Sequence, residues 1–177
     1  MISENYLRDV NSQFQKHKTL VEKALSQVSD RDFFRELGPA SNSIAIIVKH
    51  MAGNMRSRWR DFLTSDGEKP DRHRDTEFEI TPEDSRKTIM TRWERGWKFL
   101  FDSIEPLKPE DLEKTITIRG EPYTVLEAIN RQLTHYAYHA GQIAYLARHY
   151  AGDKWQTLSV PRGKSEEFNK QMRERFK

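Results

Sequence analysis

Apolar side chains recur at helical spacing in four stretches of this 177-residue chain, and this periodicity constrains the fold more than any other feature. The second stretch shows the pattern most plainly, with Ile44, Ile47, Val48, Met51 and Met55 at i, i+3, i+4, i+7 and i+11. Residues at that spacing share one face of a helix, so each stretch predicts an amphipathic helix. We predict helices over about residues 4–28, 43–63, 82–104 and 124–150.

Four such helices favour an all-α fold in which the apolar faces meet in a four-helix bundle. The chain has the usual length of one domain, so we expect a single domain over residues 1–177. Residues 115–118 alternate in polarity and precede a turn, which predicts a small β-hairpin before the fourth helix. After Gly152 we expect a C-terminal tail, with a short final helix that starts at Ser165.

Local signals also predict where two of the helices begin. Ser41, Asn42 or Ser43 can cap the second helix, because their side chains accept hydrogen bonds from free backbone N–H groups. Thr81 followed by Pro82 predicts the start of the third helix, since proline fits the first helical turn.

Composition excludes several classes of protein. The chain has no cysteine, which rules out disulfides, thiolate metal sites and a cysteine nucleophile, so any metal must use His, Asp or Glu. Its 30 basic and 27 acidic residues are spread along the whole length, and we therefore expect no nucleic-acid partner. The sequence has no apolar run typical of a signal peptide or a membrane span, so we expect a cytoplasmic protein with no membrane partner.

Three histidines form the strongest candidate site. His135 and His139 lie four residues apart, and in a helix their imidazoles point the same way. His50, at the margin of the apolar face of the second helix, can supply a third ligand. Three neutral imidazoles leave positions for water or substrate, which is typical of a catalytic site for zinc, nickel, iron or copper. The alternative is that His135 and His139 are surface residues and His50 is hydrogen-bonded at a helix edge.

Polar neighbours on the same helices extend this candidate site. Possible hydrogen-bond partners lie about one turn from the histidines, namely Asn54, Gln132 and Gln142, with Asp61 and Glu127 as more distant candidates. Arg58, two turns beyond His50, could bind an anionic group. Trp59, Trp93 and Trp97 are most simply core residues.

A lone histidine in the second helix and the HYAYHAGQIAYLAR segment at residues 135–148 together resemble the DinB/YfiT-like superfamily of four-helix metalloproteins. The resemblance covers nearly the whole chain, is closest at residues 49–79, 135–148 and 155–169, and suggests an uncharacterised bacterial branch. It implies an up-down-down-up bundle, a divalent metal that is usually nickel or zinc, and frequent homodimers. It also implies that His50, His135 and His139 are the metal ligands.

Characterised members of that superfamily include transferases of low-molecular-weight thiols and a thiol-dependent isomerase. The resemblance therefore implies a metal-dependent thiol S-transferase or related enzyme, which acts on a small-molecule thiol and an electrophile with Asn54 or Arg58 orienting the thiol. A metal-dependent hydrolase is an alternative that the lack of a carboxylate general base beside the histidines disfavours. A non-catalytic protein that binds metal or a partner is the other alternative.

Overall fold

A computed structural model describes residues 2–176 of the chain, and within that range the fold is mostly helical. Its six α-helices are α1 (Ile2–Leu25), α2 (Asp30–Phe33), α3 (Ile44–Trp59), α4 (Arg86–Ile104), α5 (Val125–Ala151) and α6 (Ser165–Arg175). Its two strands are β1 (Thr115–Ile118) and β2 (Glu121–Thr124). The prediction of a mainly α-helical chain is confirmed, whereas the up-down-down-up bundle and the single domain over residues 1–177 stay predictions.

The core lies between the four long helices. Helix α3 packs along α4, helix α1 packs along α5, and α3 also contacts α5. Five aromatic side chains at this centre are fully buried, with Phe14 edge-on to Trp59 and Trp97 close to Tyr136 and Trp93. The prediction that the three tryptophans belong to the core is confirmed. Replacing a side chain of this kind with alanine typically costs about 3–5 kcal/mol.

Helix α3 begins where the sequence predicts but ends earlier. The Ser43 hydroxyl accepts a hydrogen bond from the Ile46 backbone N–H at 3.2 Å, which caps the helix. The helix stops at Trp59 and not near residue 63, because Arg60 is extended and Asp61 has a positive φ of 50°. The chain turns there while Phe62 still packs into the core.

The predicted start of α4 after Thr81 is wrong. The helix begins at Arg86, and Ser85 and Thr88 form its capping box. The residues before it make a separate turn, in which the Asp84 carboxylate accepts the Thr81 backbone N–H at 3.1 Å. That carboxylate also binds Lys49 of α3 at 2.7 Å, so a tertiary ion pair overrides the local Thr-Pro signal.

The predicted β-hairpin is present and leads directly into α5. Strands β1 and β2 pair antiparallel, and both turn residues, Arg119 and Gly120, have positive φ, as a two-residue hairpin requires. The Asp66 carboxylate accepts the backbone N–H groups of both, at 2.9 and 2.8 Å, and so ties the hairpin to the loop after α3. Thr124 and Glu127 then form the capping box of α5.

The segment after α5 contributes to the core. Trp155 and Leu158 pack against buried residues, and Gln156 exchanges two hydrogen bonds with Gln27. Helix α6 begins at Ser165, as predicted, and is exposed. None of the helices within residues 2–176 is both long and apolar enough to cross a lipid bilayer.

Candidate metal centre

The structure brings the three predicted histidines together between α3 and α5. One ring nitrogen from each of His50, His135 and His139 lies within 4.8 Å of the others, so the group could hold a metal ion. The Nε2 atoms of His50 and His135 are 3.4 Å apart. Two nitrogens that bind one tetrahedral zinc at about 2.1 Å are separated by about 3.4 Å, so this spacing fits a metal. His50 is buried, not marginal, and the other two are half-buried.

Hydrogen bonds at the Nδ1 atoms of two histidines leave their Nε2 atoms free to bind a metal. His50 Nδ1 lies 2.9 Å from Glu77 Oε2, and His139 Nδ1 lies 2.8 Å from Gln142 Oε1. Both partners are oxygen acceptors, so each Nδ1 donates a hydrogen bond, and in the neutral imidazole this leaves a lone pair on Nε2. The His139 Nε2 atom is buried and has no hydrogen-bond partner within residues 2–176. The predicted contact between Gln142 and His139 is confirmed.

Burial also keeps two of the imidazoles neutral. Burial, together with the nearby His139, His50 and arginine side chains, lowers the pKa of His135 to about 3. Burial lowers the pKa of His139 to about 4, although the Gln142 hydrogen bond opposes this effect. Both rings are therefore uncharged near neutral pH, which is the form that binds a metal.

Glu77 supports the site and was missed by sequence reasoning. It lies in a 3-10 turn over residues 74–78. Its carboxylate contacts His50 Nδ1. It also accepts hydrogen bonds from Nε and from one terminal nitrogen of Arg72, at 2.8 and 2.9 Å. Burial raises the pKa of this carboxyl, but the hydrogen bonds from His50 and Arg72 outweigh that effect and lower the pKa overall. A charged carboxylate behind a histidine fixes the ring orientation and makes the imidazole a stronger ligand.

Gly53 makes room for Glu77. A Cβ atom at this position of α3 would lie 2.2 Å from Glu77 Oε1, far inside van der Waals contact. Any other residue would therefore displace the carboxylate that holds His50. An interior helical glycine one turn after His50 was the only sequence signal for this arrangement, since the segment containing Glu77 has no periodicity.

Asn54 belongs to a buried hydrogen-bonded chain and does not bind His50. Trp59 Nε1 donates to the Tyr136 hydroxyl at 3.0 Å, and that hydroxyl donates to Asn54 Oδ1 at 3.0 Å. Neither of the two distant candidates contacts the histidines: Asp61 lies in the turn after α3, and Glu127 is engaged in the cap of α5. Those two expectations are wrong because local hydrogen bonds hold the segments of both residues away from the histidines.

A cavity of about 340 Å³ opens beside the histidines. Its lining comprises His50, Asn54, Arg58, Arg72, Arg74, Arg119, Arg131, Gln132, Thr134, His135 and Tyr138. Asn54 and Arg58, the two side chains predicted to orient a ligand, therefore both face the same space as two of the metal-ligand candidates. Arg58 is buried, and it donates to the backbone oxygen of Gly67 and to Glu68 Oε2, the latter at 2.8 Å.

Fold and site together define a mainly helical protein with a three-histidine group that could hold a metal ion. A protein-family model described as "Protein of unknown function (DUF1572)" matches residues 1–164, and the chain belongs to this family. No curated protein matches the chain. No solved structure matches it either.

Proposed function

We propose that this protein is a divalent-metal enzyme that transfers a low-molecular-weight thiol to an electrophile. The observation that carries the proposal is the convergence of His50, His135 and His139 on one point beside a cavity. The thiol chemistry rests on the DinB-like resemblance, which also favours nickel or zinc and a homodimer.

The ligand set suits this reaction. Imidazole ligands bring no negative charge to a divalent cation, which when bound there would lower the pKa of a thiol and favour thiolate. In the reaction, the thiolate sulfur forms a bond to an electrophilic carbon, and the leaving group departs with the electrons of the bond that breaks. The thiol proton is released to solvent.

The protein's own residues would hold the site and orient the reactants. Glu77 and Gln142 keep the protons of His50 and His139 on Nδ1. The Tyr136 hydroxyl occupies the amide oxygen of Asn54, which leaves the Asn54 amide nitrogen as the group that can donate to a ligand. We propose that Arg58 and Asn54 orient the thiol in the cavity.

Thiol transfer is favoured over hydrolysis by the absence of a suitable base. No Asp or Glu of residues 2–176 lines the cavity beside the histidines. The nearest carboxylate, that of Glu77, is engaged with both His50 and Arg72 and its pKa is lowered. A base that activates water should instead reach the cavity and have a pKa near neutral pH.

The first test is metal content by mass spectrometry on the untagged protein after nickel or zinc is supplied. We expect close to one equivalent in the parent, and its loss in His50→Ala and His135→Ala. His149→Ala is the matched control, because His149 is exposed near the end of the same helix, α5, and should leave the metal in place. A parent that takes up no metal overturns the proposal.

The second test is turnover of a chloro-aromatic electrophile with glutathione, bacillithiol or coenzyme A. Activity that disappears in His139→Ala but persists in His149→Ala supports thiol transfer. Bound metal without turnover of any of these thiols would instead favour a non-catalytic metal-binding protein.

A further inference from the structure

The cavity beside the histidines is lined by five arginines, which reach it from separate parts of the chain. Arg58 comes from α3, Arg119 from the hairpin turn and Arg131 from α5, while Arg72 and Arg74 come from the segment before α4. The fold thus gathers guanidinium groups from distant positions at one place. Like charges that lie close together repel, so such a cluster needs compensating negative charge.

Two carboxylates compensate only part of this charge. Glu68 lies between three of the arginines, at 2.8 Å from Arg58, 3.2 Å from Arg72 and 3.3 Å from Arg119. Glu77 binds Arg72 and His50. Two negative charges among five positive ones leave the lining of the cavity strongly cationic.

The two remaining guanidinium groups are held by aromatic rings and not neutralised by buried acids. Arg131 donates to the Tyr123 hydroxyl at 2.7 Å and lies over that ring, and it makes no ion pair within residues 2–176. Arg74 lies over the Phe78 ring at 4.8 Å. Its acidic neighbour, Asp75, is 3.7 Å away and has a side chain that is 98% exposed. Both guanidinium groups are therefore positioned in advance and can still bind an anion.

Buried polar atoms without partners lie in the same lining. In the part of the chain that the structure describes, Arg58 Nε and Gln132 Oε1 are buried and form no hydrogen bond. Both side chains are at least 95% buried. Buried polar groups in proteins almost always have partners, so this donor and this acceptor indicate a bound ligand or ordered water.

We propose that this cavity binds an oxyanion, a carboxylate or a phosphate, carried by the small molecule that reacts at the histidines. Planar guanidinium groups match both anions with paired hydrogen bonds. That the anion belongs to a reactant rests on the proposed function, whereas the anion site itself follows from the arginines. An anion site would narrow the reactants to a negatively charged thiol or a negatively charged electrophile.

The test is calorimetric titration of the metal-free protein with inorganic phosphate and, separately, with succinate at low salt. We expect one of them to bind, and the anion that binds more tightly identifies the group. Arg131→Gln and Arg74→Gln should each weaken binding by about tenfold, the typical effect of losing one charge-assisted hydrogen bond. Arg148→Gln is the matched control, because it removes the same charge from an exposed position on α5 outside the cavity.

The inference is overturned if neither anion binds with at least millimolar affinity, or if Arg148→Gln weakens binding as much as the cavity variants do. The use of metal-free protein separates this outcome from the proposed function. Metal uptake and thiol transfer without anion binding would refute only the anion site. Anion binding without thiol transfer would refute only the transferase.

Discussion

Gly53→Ala is the substitution that tests the candidate metal centre most directly. In an exposed helix interior this change normally stabilises a protein by about 1 kcal/mol. Here the new Cβ would lie 2.2 Å from Glu77 Oε1 and 2.7 Å from its Cδ. An ordinary contact is about 3.5 Å, so the carboxylate must move by roughly 1 Å.

The cost of that movement follows from what Glu77 holds. Its side chain is flexible, so the fold can survive, but the carboxylate cannot swing away without weakening its bonds to His50 and Arg72. A hydrogen bond to a charged group contributes about 1.5–3 kcal/mol. After the gain in helix propensity, we expect a net loss of about 0.5–2 kcal/mol in the free energy of unfolding. We also expect roughly 10–100-fold weaker metal binding, the usual effect of losing a partner behind a ligating histidine.

Gly141→Ala is the matched control. Gly141 is also helical and lies two residues after His139, but a Cβ there meets no atom within 4 Å. It should raise the melting temperature of the metal-free protein by about 2–4 °C and leave metal affinity unchanged.

Two measurements decide the comparison, namely competition for zinc against a chromophoric chelator and thermal unfolding of the metal-free protein. If Gly53→Ala binds zinc as tightly as the parent, Glu77 does not support the site. Equal losses of zinc affinity in both variants would show a general effect of alanine and would also refute the role of Glu77.

Two further predictions concern stability. Asp84→Ala should destabilise the fold by about 3 kcal/mol in urea unfolding at pH 7, because it removes the carboxylate partner of the largely buried Lys49 ammonium and leaves it only the Glu79 backbone oxygen. Burial raises the Asp84 pKa, but the hydrogen bonds from Lys49 and the Thr81 backbone outweigh this effect and lower the pKa overall. The ion pair therefore stabilises the fold above about pH 4, and this stabilisation is lost as pH falls through the lowered pKa. A difference between parent and variant that does not shrink below pH 4 would contradict this account. Tyr136→Phe should cost about 1–3 kcal/mol in the same assay, because Trp59 and Asn54 lose the hydroxyl to which both are hydrogen-bonded. An unchanged stability would show that these hydrogen bonds do not stabilise the core.

Several features of the site could be predicted because they are local in sequence. His135 and His139 share a face through helical geometry alone, and Gln142 reaches His139 from the next turn of the same helix. The hairpin was recognisable from the alternating residues 115–118 followed by a turn.

Other features could not be predicted because they depend on residues far apart in the chain. Glu77 is 27 residues from His50 and lies in a segment without periodicity. Asn54 accepts a hydrogen bond from Tyr136, which is 82 residues away in the sequence, and so does not bind His50. The start of α4 was misplaced for the same kind of reason, since the ion pair between Asp84 and Lys49 joins positions 35 residues apart.

By itself, the sequence indicated the four long helices, though not all of their ends, their apolar faces and the three imidazoles that could bind a metal. Tertiary structure alone decided that Glu77 would hold His50, that Gly53 would leave space for it, and that five arginines would line one cavity. The physical reason is that helical periodicity comes from backbone geometry within a few residues. Hydrogen bonds and charge clusters between segments depend on how those segments pack, and these polar contacts leave no periodic trace in the sequence.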